Sequence, residues 1–165
     1  PHDGETAGEV VVRAPALTQA YLKNPDASEK LWQGGYLHTG DIGNIDADGY
    51  LKVTDRVKDV IKSGGEWISS LTLEDIVSQH PNVNEVAAIA VPDEKWGERP
   101  MLLVVLNSGL ENEVSEHQIR VLVQAQADKG VISRWAVPDR IQFVEVIEKT
   151  SVGKIDKKRL REKYS

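Results

Sequence analysis

Apolar positions along this chain change their spacing near residue 58. Before it they come in short clusters separated by glycine, proline and aspartate; after it they form helical stripes alternating with solid runs. Gly8-Glu-Val-Val-Val-Arg13, β-branched and following a glycine, predicts a strand. Residues 16–23 read as a short helix closed by Asn24-Pro25, because proline disfavours helical geometry in the residue before it. Residues 26–32 read as a second short helix, stopped by Gly34-Gly35. Residues 36–39 and 43–46 read as two short strands separated by Gly40-Asp41. Asp46-Ala-Asp-Gly49 predicts a hairpin turn, since Asp-Gly supplies the positive φ such turns need, and residues 50–54 alternate as a strand. No long helix is predicted before residue 58.

Beyond that point residues 60–62 and 67–68 flank Gly64-Gly65 and predict a small hairpin. Residues 71–80 predict a helix, with Leu73, Ile76 and Val77 on one face and Ser70 as N-cap. The runs at 84–91 and 100–107 suit strands buried on both faces. Ser115-Glu-His-Gln118 has the spacing of a capping box and opens a helix to about residue 129, with Ile119, Leu122, Val123 and Gln126 in register. Residues 140–147 predict a third strand and 155–164 a closing helix. The resulting expectation is an α+β domain over residues 58–165, with about three core strands and flanking helices. The β-rich residues 1–57 look too small to hold a core and read as the tail of something larger.

Composition narrows the function classes. The chain is 40% hydrophobic and 28% charged, as in ordinary globular domains. Its net charge of -6, from 20 Lys+Arg against 26 Asp+Glu, argues against a nucleic-acid or anionic-membrane footprint. The cationic run at 154–163 reads as a solvated helix face. With no cysteine, disulfides, thiolate zinc sites and a cysteine nucleophile are excluded, and no metal site is predicted. The longest apolar runs, 86–91 and 101–106, are far short of the ~20 residues a membrane span needs. A cytoplasmic origin is expected, and a start at Pro1-His-Asp-Gly suggests an excised fragment.

Three stretches place polar residues where loops meet strands. In Tyr36-Leu-His-Thr-Gly-Asp41, a carboxylate beside a glycine can accept two hydrogen bonds from a vicinal diol, although Gly-Asp is also a turn dipeptide. His38 reads as a partly exposed strand residue rather than a base. In Thr54-Asp-Arg-Val-Lys-Asp-Val-Ile-Lys-Ser-Gly-Gly-Glu-Trp-Ile-Ser69, Arg56 can hold an anion or a ribose oxygen with its planar fork, and Gly64-Gly65 lets a ligand approach the backbone. A salt-bridged strand and a glycine turn fit the same residues. Glu148-Lys-Thr-Ser-Val-Gly-Lys-Ile-Asp156 puts Lys154 on a loop ahead of a helix, where it can neutralise charge on a phosphoryl group or serve only solubility. It is not a phosphate loop of the G-x-x-x-x-G-K-[ST] kind.

In this order and separation the stretches together resemble the acyl-CoA synthetase branch of the adenylate-forming enzyme superfamily. Residues 8–22, 36–41, 55–65 and 150–156 look like that family's strand and turn, aromatic-x-[RH]-T-G-D, hinge and C-terminal lysine motifs. Lys62-Ser-Gly-Gly-Glu-Trp-Ile-Ser-Ser70 is similar to bacterial medium-chain fatty acyl-CoA synthetases. The resemblance implies that Asp41 holds ribose hydroxyls of ATP and of the acyl-adenylate, and that Arg56 assists at ribose and phosphate. Lys58 would be the hinge, and Lys154 would contact the acyl carboxylate and α-phosphate during adenylation. In a second orientation Lys62, Ser63, Gly64, Gly65, Glu66 and Trp67 would face the active site and line a tunnel for the pantetheine of coenzyme A. Trp96, Glu98 and Arg99 are expected to be structural; Thr72 stands where relatives usually carry a glutamate, while Glu74 is retained.

The implied reaction turns a fatty or aryl carboxylic acid and ATP into an acyl-adenylate, then into acyl-CoA and AMP. Mg2+ would accompany ATP at a site outside this chain. The phosphate loop and acyl pocket would lie in a large N-terminal domain of which residues 1–57 are the end, so the fragment alone is expected to be inactive. Two alternatives are an adenylation domain that loads a carrier protein and a stand-alone, non-catalytic interaction module.

Overall fold

A computed structural model describes residues 1–109 and 113–165, which form two compact units, Pro1–Lys58 and Asp59–Ser165. The first holds an antiparallel sheet of order β1-β2-β3, made of β1 (Gly8–Val12), β2 (Leu37–Ile45) and β3 (Leu51–Arg56), with helix α1 (Pro25–Leu31). The two short strands expected around Gly40-Asp41 are one strand. Its register against β3 shifts between Ile42 and Gly43, where Thr54 is the extra residue on β3, and against β1 residues 39–41 stand opposite Val10 alone; pairing resumes beyond each irregularity. A side chain at Gly43 would stand 2.7 Å from the Lys52 carbonyl oxygen, so only glycine fits. Residues 16–23 are not helical. Leu22 is 90% exposed and Tyr21 55%, so a helix there would bury no apolar face to offset its nucleation cost. The Asp46–Gly49 turn forms as expected: Asp46 Oδ1 accepts the Asp48 and Tyr50 N–H groups at 3.0 and 2.8 Å, and Gly49 has φ +87°. Among the described residues of this unit, Leu31 and Ile42 are the buried hydrophobics, whereas Val11, Val12, Leu51 and Val53 are exposed.

The second unit is a five-stranded sheet with helices on both faces. Its elements are β4 (Ile61–Ser63), β5 (Glu66–Ile68), α2 (Ser70–Ser78), β6 (Val83–Asp93), β7 (Gly97–Leu106), α3 (Glu116–Asp128), β8 (Arg140–Phe143) and α4 (Lys157–Tyr164). Strands β6 and β7 pair as a long antiparallel hairpin, from Val83 opposite Leu106 to Asp93 opposite Gly97. Strand β8 runs parallel to β7, and the small β4–β5 hairpin joins the same sheet through Ser63 opposite Gly97. The expected core strands and the expected hairpin therefore share one sheet. The solid apolar runs follow from burial on both faces. Val86, Ala88, Leu102 and Val104 face α2 and α3 through Leu73, Val77, Ile119 and Val123. Their neighbours Ala87, Ile89, Met101 and Leu103 pack with Leu160 of α4 and Ile147.

Three boundaries differ from expectation. The α2 cap is Ser69, whose Oγ accepts the Thr72 N–H at 3.1 Å, while Ser70 is the buried first helical residue. Strand β8 ends at Phe143; Val144 still donates to the Val104 carbonyl, but Glu145 and Val146 turn outward. Helix α4 begins at Lys157 because Ile155 is held in a bridge to Lys149 and Asp156 caps the helix through the Arg159 N–H at 3.1 Å. The Ser115–Gln118 capping box is complete. Among the described residues no helix is long and apolar enough to cross a membrane.

Candidate functional site

In the first unit the antiparallel register sets Asp41 of β2 opposite Arg56 of β3. Arg56 Nε lies 2.9 Å from Asp41 Oδ1, with side-chain exposures of 57% and 28%. An ion pair this exposed contributes about 1 kcal/mol or less to stability, so folding alone is a weak reason for its placement. The salt-bridged strand anticipated as an alternative is therefore present, and it leaves carboxylate and guanidinium side by side at an accessible edge. Thr39 Oγ1 braces the turn into Asp41, accepting the Asp41 N–H at 3.1 Å and donating to the Val10 carbonyl at 2.8 Å.

His38 sits on the same strand with both ring nitrogens facing acceptors, the Glu9 carboxylate at 2.8 Å and the Gln33 carbonyl at 3.0 Å. Only imidazolium donates from both nitrogens. The Glu9 carboxylate, followed by the Gln33 carbonyl, raises its pKa above the ordinary 6.5. Both nitrogens are directed at these acceptors, so neither is presented to a substrate as a base. The expected result is an NMR titration midpoint for His38 above 6.5 that falls back when Glu9 is replaced by Gln. Because the folded-state pKa is raised, the β1–β2 stabilisation from this pair is full below the unfolded pKa. It is lost as pH rises through the folded one.

The junction between the units is tied closely on each side. Val57 N–H donates to the Gly40 carbonyl at 2.9 Å, and the buried Asp55 Oδ1 accepts the Arg56 N–H at 2.7 Å. On the other side, within the second unit, Asp59 Oδ1 accepts from Arg161 Nη1 of α4 at 3.1 Å. Lys58 between them is exposed.

In the second unit Ser63 and Glu66 close a two-residue turn at Gly64 and Gly65, whose φ values of +61° and +84° suit a hairpin of the type I′ class. Ser63 points inward, fully buried, and its Oγ accepts from Arg99 Nη1 at 3.1 Å. Gly64, Gly65, Glu66 and Trp67 are exposed, as is Lys62, whose Nζ stands 5.7 Å from the centre of the Trp67 ring. The hairpin rests on Trp96, Glu98 and Arg99, the residues expected to be structural. Lys62 N–H donates to Glu98 Oε2 at 2.8 Å, and Gly64 N–H to the Trp96 carbonyl at 3.2 Å. Arg99 also donates to the carbonyls of Trp135 (2.6 Å) and Val137 (2.9 Å) and to Asp139 (2.6 Å). A side chain at Gly64 would meet the Trp135 ring at 3.4 Å.

Lys154 is exposed at the end of a tight hairpin rather than on a loose loop. Its carbonyl accepts the Thr150 N–H at 2.7 Å, its own N–H donates to Thr150 Oγ1 at 3.3 Å, and Gly153 turns the chain at φ +79°. The basic run beyond it is not simply a solvated face. Lys157 is buried and bonded to Glu74 and Ser70, Arg161 holds Asp59, and Lys163 donates to Glu148 at 2.6 Å. That last contact lowers the Glu148 pKa and raises the Lys163 pKa. These partners went unpredicted because nothing in the spacing separates a buried lysine from its solvated neighbours. Among the described residues no group of three or more His, Asp or Glu is placed to hold a metal ion.

The described geometry thus leaves the accessible Asp41–Arg56 pair on the first unit and two exposed, braced hairpins on the second. Residues 72–154, a little over half of the chain, match the family described as AMP-binding enzyme C-terminal domain. The chain belongs to that family. As a member it is 40% identical over 164 residues to 3-methylmercaptopropionyl-CoA ligase of Ruegeria lacuscaerulensis, which covers 99% of this chain and 29% of that protein. It is 41% identical over 167 residues to long-chain-fatty-acid–CoA ligase of Thermus thermophilus, again with 99% and 29% coverage. Among solved structures, the amide bond synthetase McbA of Marinactinospora thermotolerans superposes with a TM-score of 0.81 at 33% identity, covering 98% of this chain and 32% of that one. This family member therefore spans about 29% of the length of these curated relatives.

Proposed function

We propose that this chain is the C-terminal part of an ATP-dependent acyl-CoA synthetase acting on a fatty or aryl acid. Residues 1–57 would end the large N-terminal domain, and 58–165 would be the mobile C-terminal domain, with Lys58 as pivot. In the first step a carboxylate oxygen attacks the α-phosphorus of ATP and pyrophosphate leaves. Two anions must approach, so a cation delivered for that step lowers the barrier. Lys154, exposed on its hairpin, fits that task. Asp41 would accept hydrogen bonds from the ribose hydroxyls, with Arg56 beside it at ribose and phosphate. In the second step the thiol sulfur of coenzyme A attacks the acyl carbon and AMP departs with the bonding electrons. Lys62 and the exposed Gly64, Gly65, Glu66 and Trp67 would then face the reaction. Ser63 would contribute its backbone, since its hydroxyl is taken by Arg99. Mg2+ accompanying ATP would be held outside this chain.

The observation that carries this reading is the junction. Val57 is tied to Gly40, Asp59 is tied to Arg161, and the one exposed residue between them is free to absorb the dihedral change that a hinge requires. Relatives named as CoA ligases support the acyl acceptor. The test is product analysis with the full-length protein, a panel of fatty and aryl acids, ATP and coenzyme A. Acyl-CoA and AMP are expected in equal amounts, whereas adenylate that turns over only with a carrier protein would overturn the choice of acceptor.

A further inference from the structure

We propose that Lys157 is a positioning residue for Lys154, fixing where the hairpin carries its ammonium. This rests on reading Lys154 as the adenylation lysine. The hairpin has a free tip and a pinned base. At the tip, Val152 is 76% exposed and Lys154 is open to solvent. At the base there are three ion pairs. Lys149 Nζ lies 2.7 Å from Glu85 of β6, and Lys163 Nζ lies 2.6 Å from Glu148, but both pairs are substantially exposed. Exposed pairs exchange readily with water and fix geometry weakly. The third is different. Lys157 Nζ lies 2.7 Å from Glu74 Oε1 and donates to Ser70 Oγ at 2.7 Å, with side-chain exposures of 9% for Lys157 and 14% for Glu74.

Glu74 Oε1 also accepts the Ala88 N–H at 2.8 Å, on the outer side of β6, an edge strand of the sheet. One carboxylate therefore joins α2, β6 and the residue three positions beyond Lys154. A buried ion pair is a poor way to gain stability, since apolar residues of similar volume serve as well or better. What it supplies is a fixed geometry, because an ammonium in that setting has one arrangement that satisfies it. Helix α2 does not need the contact to stay in place: Leu73, Ile76 and Val77 are buried and Ser69 caps it. The segment that does need it is 149–156, the strap bearing Lys154. The reach of Lys154 is then set by movement of the whole unit rather than by a search of the loop.

The test has two arms. In this chain, backbone amide exchange at Thr150, Gly153 and Asp156 is expected to speed up about tenfold or more in Lys157→Met, with α3 amides unchanged and Lys157→Arg restoring protection. Because Lys157→Met strands the Glu74 charge, the double variant Glu74→Gln/Lys157→Met repeats the measurement without a buried unpaired ion. Unchanged exchange at the hairpin, or a uniform rise across residues 59–165, would overturn the proposal. In the full-length protein, the double variant is expected to lower kcat for adenylate formation by about tenfold at similar KM for ATP. Thioester formation from supplied adenylate should be retained, and equal loss in both steps overturns the positioning role. A wild-type protein that forms no adenylate would instead sink the function proposed above, and the exchange arm would still decide what Lys157 holds.

Discussion

Replacing Lys154 by alanine in the full-length protein is expected to slow acyl-adenylate formation by about 100- to 1,000-fold and to change thioester formation from supplied adenylate by no more than about threefold. The asymmetry follows from charge. Attack on the α-phosphorus concentrates negative charge between carboxylate and phosphate, and a preorganised cation there commonly contributes a few kcal/mol. Thiol attack on the adenylate has no such need. Lys154 is suited to leave because it has no ion pair among the described residues and sits beyond a hairpin whose backbone bonds survive without its side chain. Rapid-quench measurement of each half-reaction checks this. Equal losses in both would remove the role assigned to Lys154.

Replacing Lys58 by proline is expected to separate the two half-reactions in the other sense. Proline fixes its own φ and restricts Val57 before it. Val57 is tied to Gly40 through its backbone and Asp59 to Arg161 through its side chain, so the substitution leaves ψ of residue 58 as the main torsion with which the junction can turn. One half-reaction is expected to persist while the other drops by about 100-fold or more, with little change in thermal stability because Lys58 is exposed. Retention of both at normal rates would show that the pivot lies elsewhere.

Much of the second unit was legible from the sequence because its signals are local. The Ser115–Gln118 box, the Leu73–Ile76–Val77 face and the six-residue apolar runs each specify an element within a few residues, and each is present. The first unit was less legible. Gly40 and Gly43 look like breaks in a linear reading, yet both stay inside β2, because pairing with β1 and β3 resumes beyond each register irregularity. The helix expected at 16–23 had adequate propensity and no surface to pack on. In the candidate site, Asp41, Arg56 and Lys154 were nameable as isolated chemistry, and Lys62 only through the family resemblance. Their bracing was not, because Arg99 reaches Asp139 across 40 residues and Lys157 reaches Ser70 across 87. Sequence spacing carries no trace of contacts that only the completed sheet brings together.

In the function proposed above, this chain supplies one part of an adenylate-forming site whose other part lies in the rest of a larger protein. Acid-dependent exchange of labelled pyrophosphate into ATP tests it most directly, run on the full-length protein and on this 165-residue chain alone. Exchange is expected from the full-length protein with at least one fatty or aryl acid, and none from the chain alone. Exchange catalysed by the chain alone would contradict it, as would its absence from the full-length protein across the acid panel.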